Sequence, residues 1–403
     1  MRGYWKELFH ARWVILAITA ATFALSWTGL LDRFETAGLD TLNILQKPKD
    51  PRHVVIVGIT EQDYASKLFN ETSPLDEKSV QRILNAIAEA HPSVIGVDLD
   101  TSSDAFRSLN TQPDWPPMVW ARDGIWDEHT KTFHRLRVLG GRDPARVKDG
   151  TGLSALPLDS SDGIIRRFAR YLPLEGGGVE PAFAWSVVRA ACATDNPRRV
   201  AGCQATHVEE ISAEKSKEAL RLNFAGQRFN FDPLSVEPML ETAEQSGSQW
   251  STSSPLQNQI VLLGGFYHAA RDTYVTPVGS MEGVKLVAQA IESEFSGGGI
   301  RSFNETLMVI LDLASGALLV FISWRYPFQL GKALTLSLLC LVVVPPICSF
   351  IAFSTLGRWF NFVPMIVGVL LHELYDHGRE YYHLREKALA EEGSRAEEVQ
   401  HDG

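Results

Sequence analysis

Residues 53–60 read HVVIVGIT; a polar interval follows, then SVQRILNAIAEA (79–90) and SVIGVDL (93–99). This succession decides the fold. The first and last runs are rich in Val and Ile and apolar almost throughout, the pattern of strands covered on both faces of a sheet. The middle run repeats Val80, Ile83, Leu84 and Ile87 at helical spacing and stops at His91-Pro92. Strand, helix and strand in this order predict parallel pairing with a right-handed crossover. A third apolar run, QIVLLG (259–264), comes late and precedes a predicted helix over 283–294. Strands that rejoin one sheet after such an excursion make a single α/β domain, with a mixed or mostly parallel sheet and flanking helices. In between, the spacing predicts strands over 133–138, 167–172 and 219–224, a helix over 182–191, and an exposed Ser-, Gln- and Thr-rich loop over 242–254.

Outward from this domain the chain turns apolar. Residues 13–31 (WVILAITAATFALSWTGLL), 306–324 and 333–354 each fill the roughly 19-residue window of a membrane-crossing helix. Residues 359–374 are shorter and read as a fourth span, with Trp359 at the interface. Arg2, Lys6 and Arg12 precede the first span, Arg325 and Lys332 lie between the second and third, and Arg379, Arg385 and Lys387 follow the fourth. With four spans these groups share one side, which the positive-inside rule makes the cytoplasm. Residues 1–12 and 375–403 are then cytoplasmic, and 32–305 lie in the periplasm of a multi-pass protein of a bacterial inner membrane. A cleaved signal peptide is the rival reading of the N-terminus; the apolar run is too long for it, and Glu35 spoils the best cleavage site. Asp312 sits inside the second span, where a carboxylate is costly unless paired, for example with a hydroxyl such as Ser349.

Several motifs carry a family resemblance. VVIVGITEQDY (54–64), SVIGVDLD (93–100), DGIIRRF (162–168), QIVLLGG (259–265) and RDTYVTPVGSMEGVKLVAQAIES (271–293) together resemble the CHASE2 domain. The resemblance runs over residues 32–374 and implies an extracytoplasmic sensory domain with one preceding membrane helix and three following ones. It also implies a homo-oligomer, expected as a dimer. One departure is SPLDEKS (73–79), where the family usually carries a Trp-Pro-rich segment with an Arg. Such proteins commonly continue into a kinase or cyclase domain; this chain does not, so the resemblance implies no output activity here.

The net charge of −10 counts against nucleic acid as a partner, because phosphate binding needs a basic surface. In an open α/β sheet, ligands bind beyond the carboxyl ends of the strands. Glu61 and Asp63 follow the first strand, and Asp98 and Asp100 finish the second. If those strands are parallel neighbours, the acids share one edge and can hold a cation or cationic ligand; the alternative is that they only cap backbone amides. Arg166 and Arg167, beside Asp162, offer an ion pair with those acids or a bidentate anion contact. His268, Arg271 and Asp272 follow Gly264-Gly265 and complete the edge. No nucleophile elbow, H-E-x-x-H or regular Cys/His spacing is present, so no catalytic residue, metal or cofactor is expected and the chain does not read as an enzyme. Cys192 and Cys203 are expected to be bonded, the alternative being two unrelated thiols. The expected function is a sensor subunit that detects a periplasmic ligand or partner and signals in trans to a cytoplasmic or membrane effector. The alternative is a non-switching scaffold subunit of an envelope complex.

Overall fold

In the computed structural model the described residues are 2–45, 48–142, 150–156, 162–206, 208, 220–221, 230–326 and, with gaps, 336–389. They form two compact units, residues 1–42 with 302–403, and residues 43–301. The chain opens with helices α1 (Arg2–Trp27) and α2 (Asp32–Leu45).

The second unit is the α/β domain. Strand β1 (Val54–Thr60) leads through α3 (Glu61–Ala65) and α4 (Glu77–Glu89) to β2 (Val94–Asp98). Then come β3 (Met118–Arg122), β4 (Gly150–Leu153), α5 (Phe183–Ala191), β5 (Leu234–Ser235), α6 (Val236–Ser246), β6 (Ile260–Phe266) and α7 (Gly283–Phe295). The sheet order is β5-β1-β6-β2-β3-β4, and every pair is parallel.

Alternation along the strands builds two cores. Val54 and Ile56 face one side with Ile260 and Leu262, under α5 and α7. Val57 and Ile59 face the other with Ile95 and Val97, under α4 and α6. On α4, Val80, Ile83, Leu84 and Ile87 are all at most 1% exposed, so each contributes about 1.5–3 kcal/mol relative to an exposed position. Asp76 caps that helix, its carboxylate accepting from Ser79 N at 2.9 Å.

Two expectations change. The order of the sheet places β6 between β1 and β2, so the first two strands are not neighbours. The stretch 242–254 is not an exposed loop: α6 continues into it, and Trp250 is buried with its indole N–H donating to Ala86 O at 2.8 Å. Polar composition concealed a segment anchored by one large aromatic ring.

The end of α7 is fastened by acids. Glu292 Oε1 accepts from the backbone N–H groups of Arg52, His53 and Val54 at 2.9, 2.7 and 3.0 Å, and Oε2 meets His53 Nδ1 at 2.8 Å. Glu294 takes both arms of the Arg170 guanidinium at 2.7 and 2.6 Å. Beyond α5, Cys192 is bonded to Cys203.

The first unit also holds α8 (Glu305–Arg325), α9 (Val344–Leu356) and the helix Val363–His372. Among the described residues no single helix is long and apolar enough to cross a membrane. Trp13–Trp27 and Asp32–Leu45 meet that test only together, as a pair bent by 80°. Thr306–Ile322, Val344–Thr355 and Val363–His372 are shorter apolar helices; the first and last lie within the expected second and fourth spans, and the middle one overlaps the C-terminal half of the expected third and ends one residue past it. Lys332, Arg379, Lys387, part of 333–354 and most of 375–403 lie outside the described residues. Ser349 donates to Phe360 O at 2.7 Å, whereas Asp312 takes its hydroxyl from Thr22.

Candidate functional site

A parallel sheet opens a crevice at its carboxyl edge where adjacent strands send the chain to opposite faces. Here the chain leaving β1 goes to α4, and the chain leaving β2 goes to Phe106 and Leu109, both in the α4–α6 core. The chain leaving β6 goes instead to α7, in the other core. The edge beside β6 is therefore the switch point.

Glycine shapes it. Gly58, Gly264 and Asp98 lie side by side across β1, β6 and β2. A Cβ on Gly264 would lie 2.7 Å from Val284, and one on Gly283 would collide with the Asp272 carboxylate. Their absence lets the first turn of α7 press against the strand end and hold Asp272 there, with Gly283 N donating to Asp272 O at 2.9 Å.

Four carboxylates gather at this edge. Asp98 ends β2 and accepts from Ser154 Oγ, just past β4, at 3.2 Å. Asp100 is exposed at the rim, Asp123 follows β3, and Asp272 follows β6. Burial pushes Asp98 up to about 7; the Asp272 charge adds to this, the Ser154 hydroxyl opposes it, and Asp123 adds again. Partial burial raises Asp123, and Asp100 and Asp272 raise it further. Asp272 is raised by burial, against a hydrogen bond from Tyr274, and then by Glu282. None of the four pairs with Lys, Arg or His among the described residues. Arg122, next to Asp123, turns away to Glu180 at 3.5 Å. Tyr267 stacks on Tyr64 with ring centres 4.3 Å apart, and burial, then Tyr64 and Asp100, raise its hydroxyl pKa.

The other sequence candidates divide. Asp63 is 1% exposed and structural. Burial works to raise its pKa, but donors from Glu237 N, Thr60 N and Oγ1 and Ser235 Oγ hold it low, so it fastens α3 to α6. Glu61 accepts from His268 N at 2.8 Å and meets its ring Nδ1 at 3.1 Å, which lowers the Glu61 pKa; β6 separates this acid from β2. Arg166 pairs with Asp162 at 2.9 and 2.8 Å, in a segment tied to Val275 O through Ile165 N. Arg167 and Arg271 are exposed. Of the predicted set, Asp98, Asp100 and Asp272 meet in one cluster. Asp123, Ser154, Tyr267 and Tyr274 join them unforeseen. The Arg122-Asp123 end of β3 was masked by the Trp-Pro-Pro that precedes a short apolar run.

The sequence pattern described as the CHASE2 domain matches residues 14–323. The chain belongs to the CHASE2 family. CHASE2 is an extracytoplasmic sensory domain, and the match takes in the whole α/β unit together with the second half of α1 and most of α8. No curated protein and no solved structure matches the chain. Within this CHASE2 domain the acidic crevice is the place where the fold exposes chemistry at a switch point.

Proposed function

We propose that this chain is a membrane-anchored CHASE2 sensor subunit, working as a homo-oligomer in a bacterial inner membrane. Its α/β domain faces the periplasm, binds a cationic ligand at the β6 crevice, and signals in trans to a separate effector. The observation that carries the reading is the set of Asp98, Asp100, Asp123 and Asp272 at the switch point, without a cationic partner among the described residues. A bound cation relieves their mutual repulsion, and the Tyr267 and Tyr274 rings supply π faces for an ammonium group. Ligand binding biases the packing of the domain only if the two states differ in affinity. The apolar helices of the other unit provide the anchor. On this reading the chain binds and reports rather than catalyses.

Thermal melting of the full chain in detergent tests the ligand class, with calcium chloride in one arm and putrescine in the other at matched ionic strength. Saturation by either probe should raise the melting temperature by about 5 °C or more. The Asp98→Asn/Asp123→Asn double variant should lose that rise. No shift with either probe, or a shift that survives in the variant, sinks the ligand reading. Affinity capture of the full chain tests the trans step. A cytoplasmic effector should be recovered in amounts that differ between calcium-loaded and calcium-stripped protein. Equal recovery would identify a scaffold, and no recovery would overturn signalling in trans.

A further inference from the structure

The 80° bend between α1 and α2 is fastened by its own residues. Gly29, inside the turn, has φ +76°, a conformation that side chains with a Cβ rarely adopt. Ser26 Oγ donates to Glu35 Oε1 at 2.9 Å across the turn, and Glu35 is only 9% exposed. Leu39 and Leu42 are buried with it, and a methyl group on Gly38 would lie 3.3 Å from the Phe362 ring. The opposite face of α2 reverses what water selects, since a helix at an aqueous surface turns its apolar stripe to the core. Phe34, Ala37, Thr41, Ile44 and Leu45 fall within one arc of about 100°, and all five are exposed. Phe34 and Leu45 are 66% and 62% exposed. No charged position falls in this arc. Its one polar member, Thr41, spends its hydroxyl on Ala37 O at 2.8 Å. Trp27 at the end of α1 is 87% exposed, and Leu30 is exposed in the turn.

We propose that this stripe is a lipid-contact surface, with α2 lying along the outer interface of the membrane and its apolar arc turned to the acyl chains. The inference rests on the reading of α1 as the membrane anchor. When α1 crosses close to the bilayer normal, an 80° bend carries α2 along the bilayer plane. From Phe34 to Leu45 the helix advances about 16 Å, of which only about 3 Å runs along the axis of α1. Trp27 stands where the chain leaves the hydrocarbon, the level at which Trp rings concentrate. Arg33, beside the arc, reaches the headgroups on its long stem. A helix with an uncharged apolar face and a polar flank binds such an interface by burying that face about 5–10 Å deep.

Nitroxide labels on the full chain, in vesicles of phosphatidylethanolamine and phosphatidylglycerol, test this directly. They are attached one at a time to Phe34→Cys, Thr41→Cys and Leu45→Cys, in a background of Cys340→Ser and Cys348→Ser that leaves the Cys192–Cys203 disulfide intact. Depth is read from collisions with oxygen, which concentrates in lipid, against a water-soluble nickel chelate. All three labels should favour oxygen, at shallow depths that agree to within about 8 Å once an ordinary tilt of the anchor is allowed. A depth that grows by about 16 Å from Phe34 to Leu45 makes the pair a broken span and overturns the proposal. Labels that favour the chelate place the stripe in water, and labels shielded from both reagents place it under a second copy of the chain; either result overturns it. Phe23→Cys, at an exposed position on α1, is the reference. Chelate access at Phe23 refutes the anchor and this inference with it. An oxygen-rich Phe23 beside a chelate-accessible α2 refutes this inference alone.

Discussion

Replacing Arg170 with Met should destabilise the sensory domain by about 3–5 kcal/mol, because it leaves the Glu294 carboxylate buried without its guanidinium. The two side chains are 8% and 1% exposed, and the guanidinium also lies 4.8 Å from the centre of the Trp185 ring. Methionine retains much of the arginine stem, so the change removes charge and hydrogen bonds more than volume. Replacing both partners, Arg170→Met with Glu294→Met, should recover most of the loss, since an apolar pair of similar size is often as stable as a buried ion pair. Hydrogen exchange at the α7 amides reads the effect locally, where the helix end is fastened to the start of β1 through Glu292. A single variant that exchanges as slowly as the parent, or a double variant as weak as the single one, would contradict this account.

The stability of the domain should fall as pH rises between 4 and 7. Asp98 is pushed from 3.8 to about 7, first by burial and then by Asp272, so the folded state holds its proton more tightly than the unfolded chain does. The contribution is fully present below the unfolded value and is lost as pH rises through the folded one. The interval sets a ceiling of about 4 kcal/mol, which water at the open rim reduces to about 2 kcal/mol. Asp123 and Asp272, raised in the same direction, add to the slope. Asp63 and Asp162 are lowered and act at lower pH with the opposite sign. Asp98→Asn should flatten most of the dependence. Because a cation competes with these protons, the calcium-induced rise in melting temperature should grow over the same pH interval. A parent protein whose stability climbs steadily between pH 4 and 7, or an Asp98→Asn variant with an unchanged slope, would count against a proton-loaded crevice.

Much of the fold was legible because strong periodicities are local. The runs at 53–60, 93–99 and 259–264 became β1, β2 and β6, and the spacing of Val80, Ile83, Leu84 and Ile87 became the buried face of α4. The weak elements were not legible. β4 reads Gly-Thr-Gly-Leu and β5 spans two residues, so neither has enough β-rich sequence to stand out from a loop; their neighbours make them strands. Trp250 illustrates the same limit, since one buried ring outweighed a run of Ser, Gln and Thr.

By itself the sequence determined the α/β class, the CHASE2 membership and the grouping of acids at strand ends, because strand termini, helical spacing and motif order are properties of neighbouring residues. Only the tertiary structure decided which acids meet. Inserting β6 between β1 and β2 moved Glu61 away from Asp98 and brought in Asp272, while β3 supplied Asp123. Asp63, alike in sequence, was turned inward to fasten α3 to α6. Strand order depends on pairings between residues far apart in the chain, and the environment that raises one aspartate and lowers another is assembled only when those pairings form.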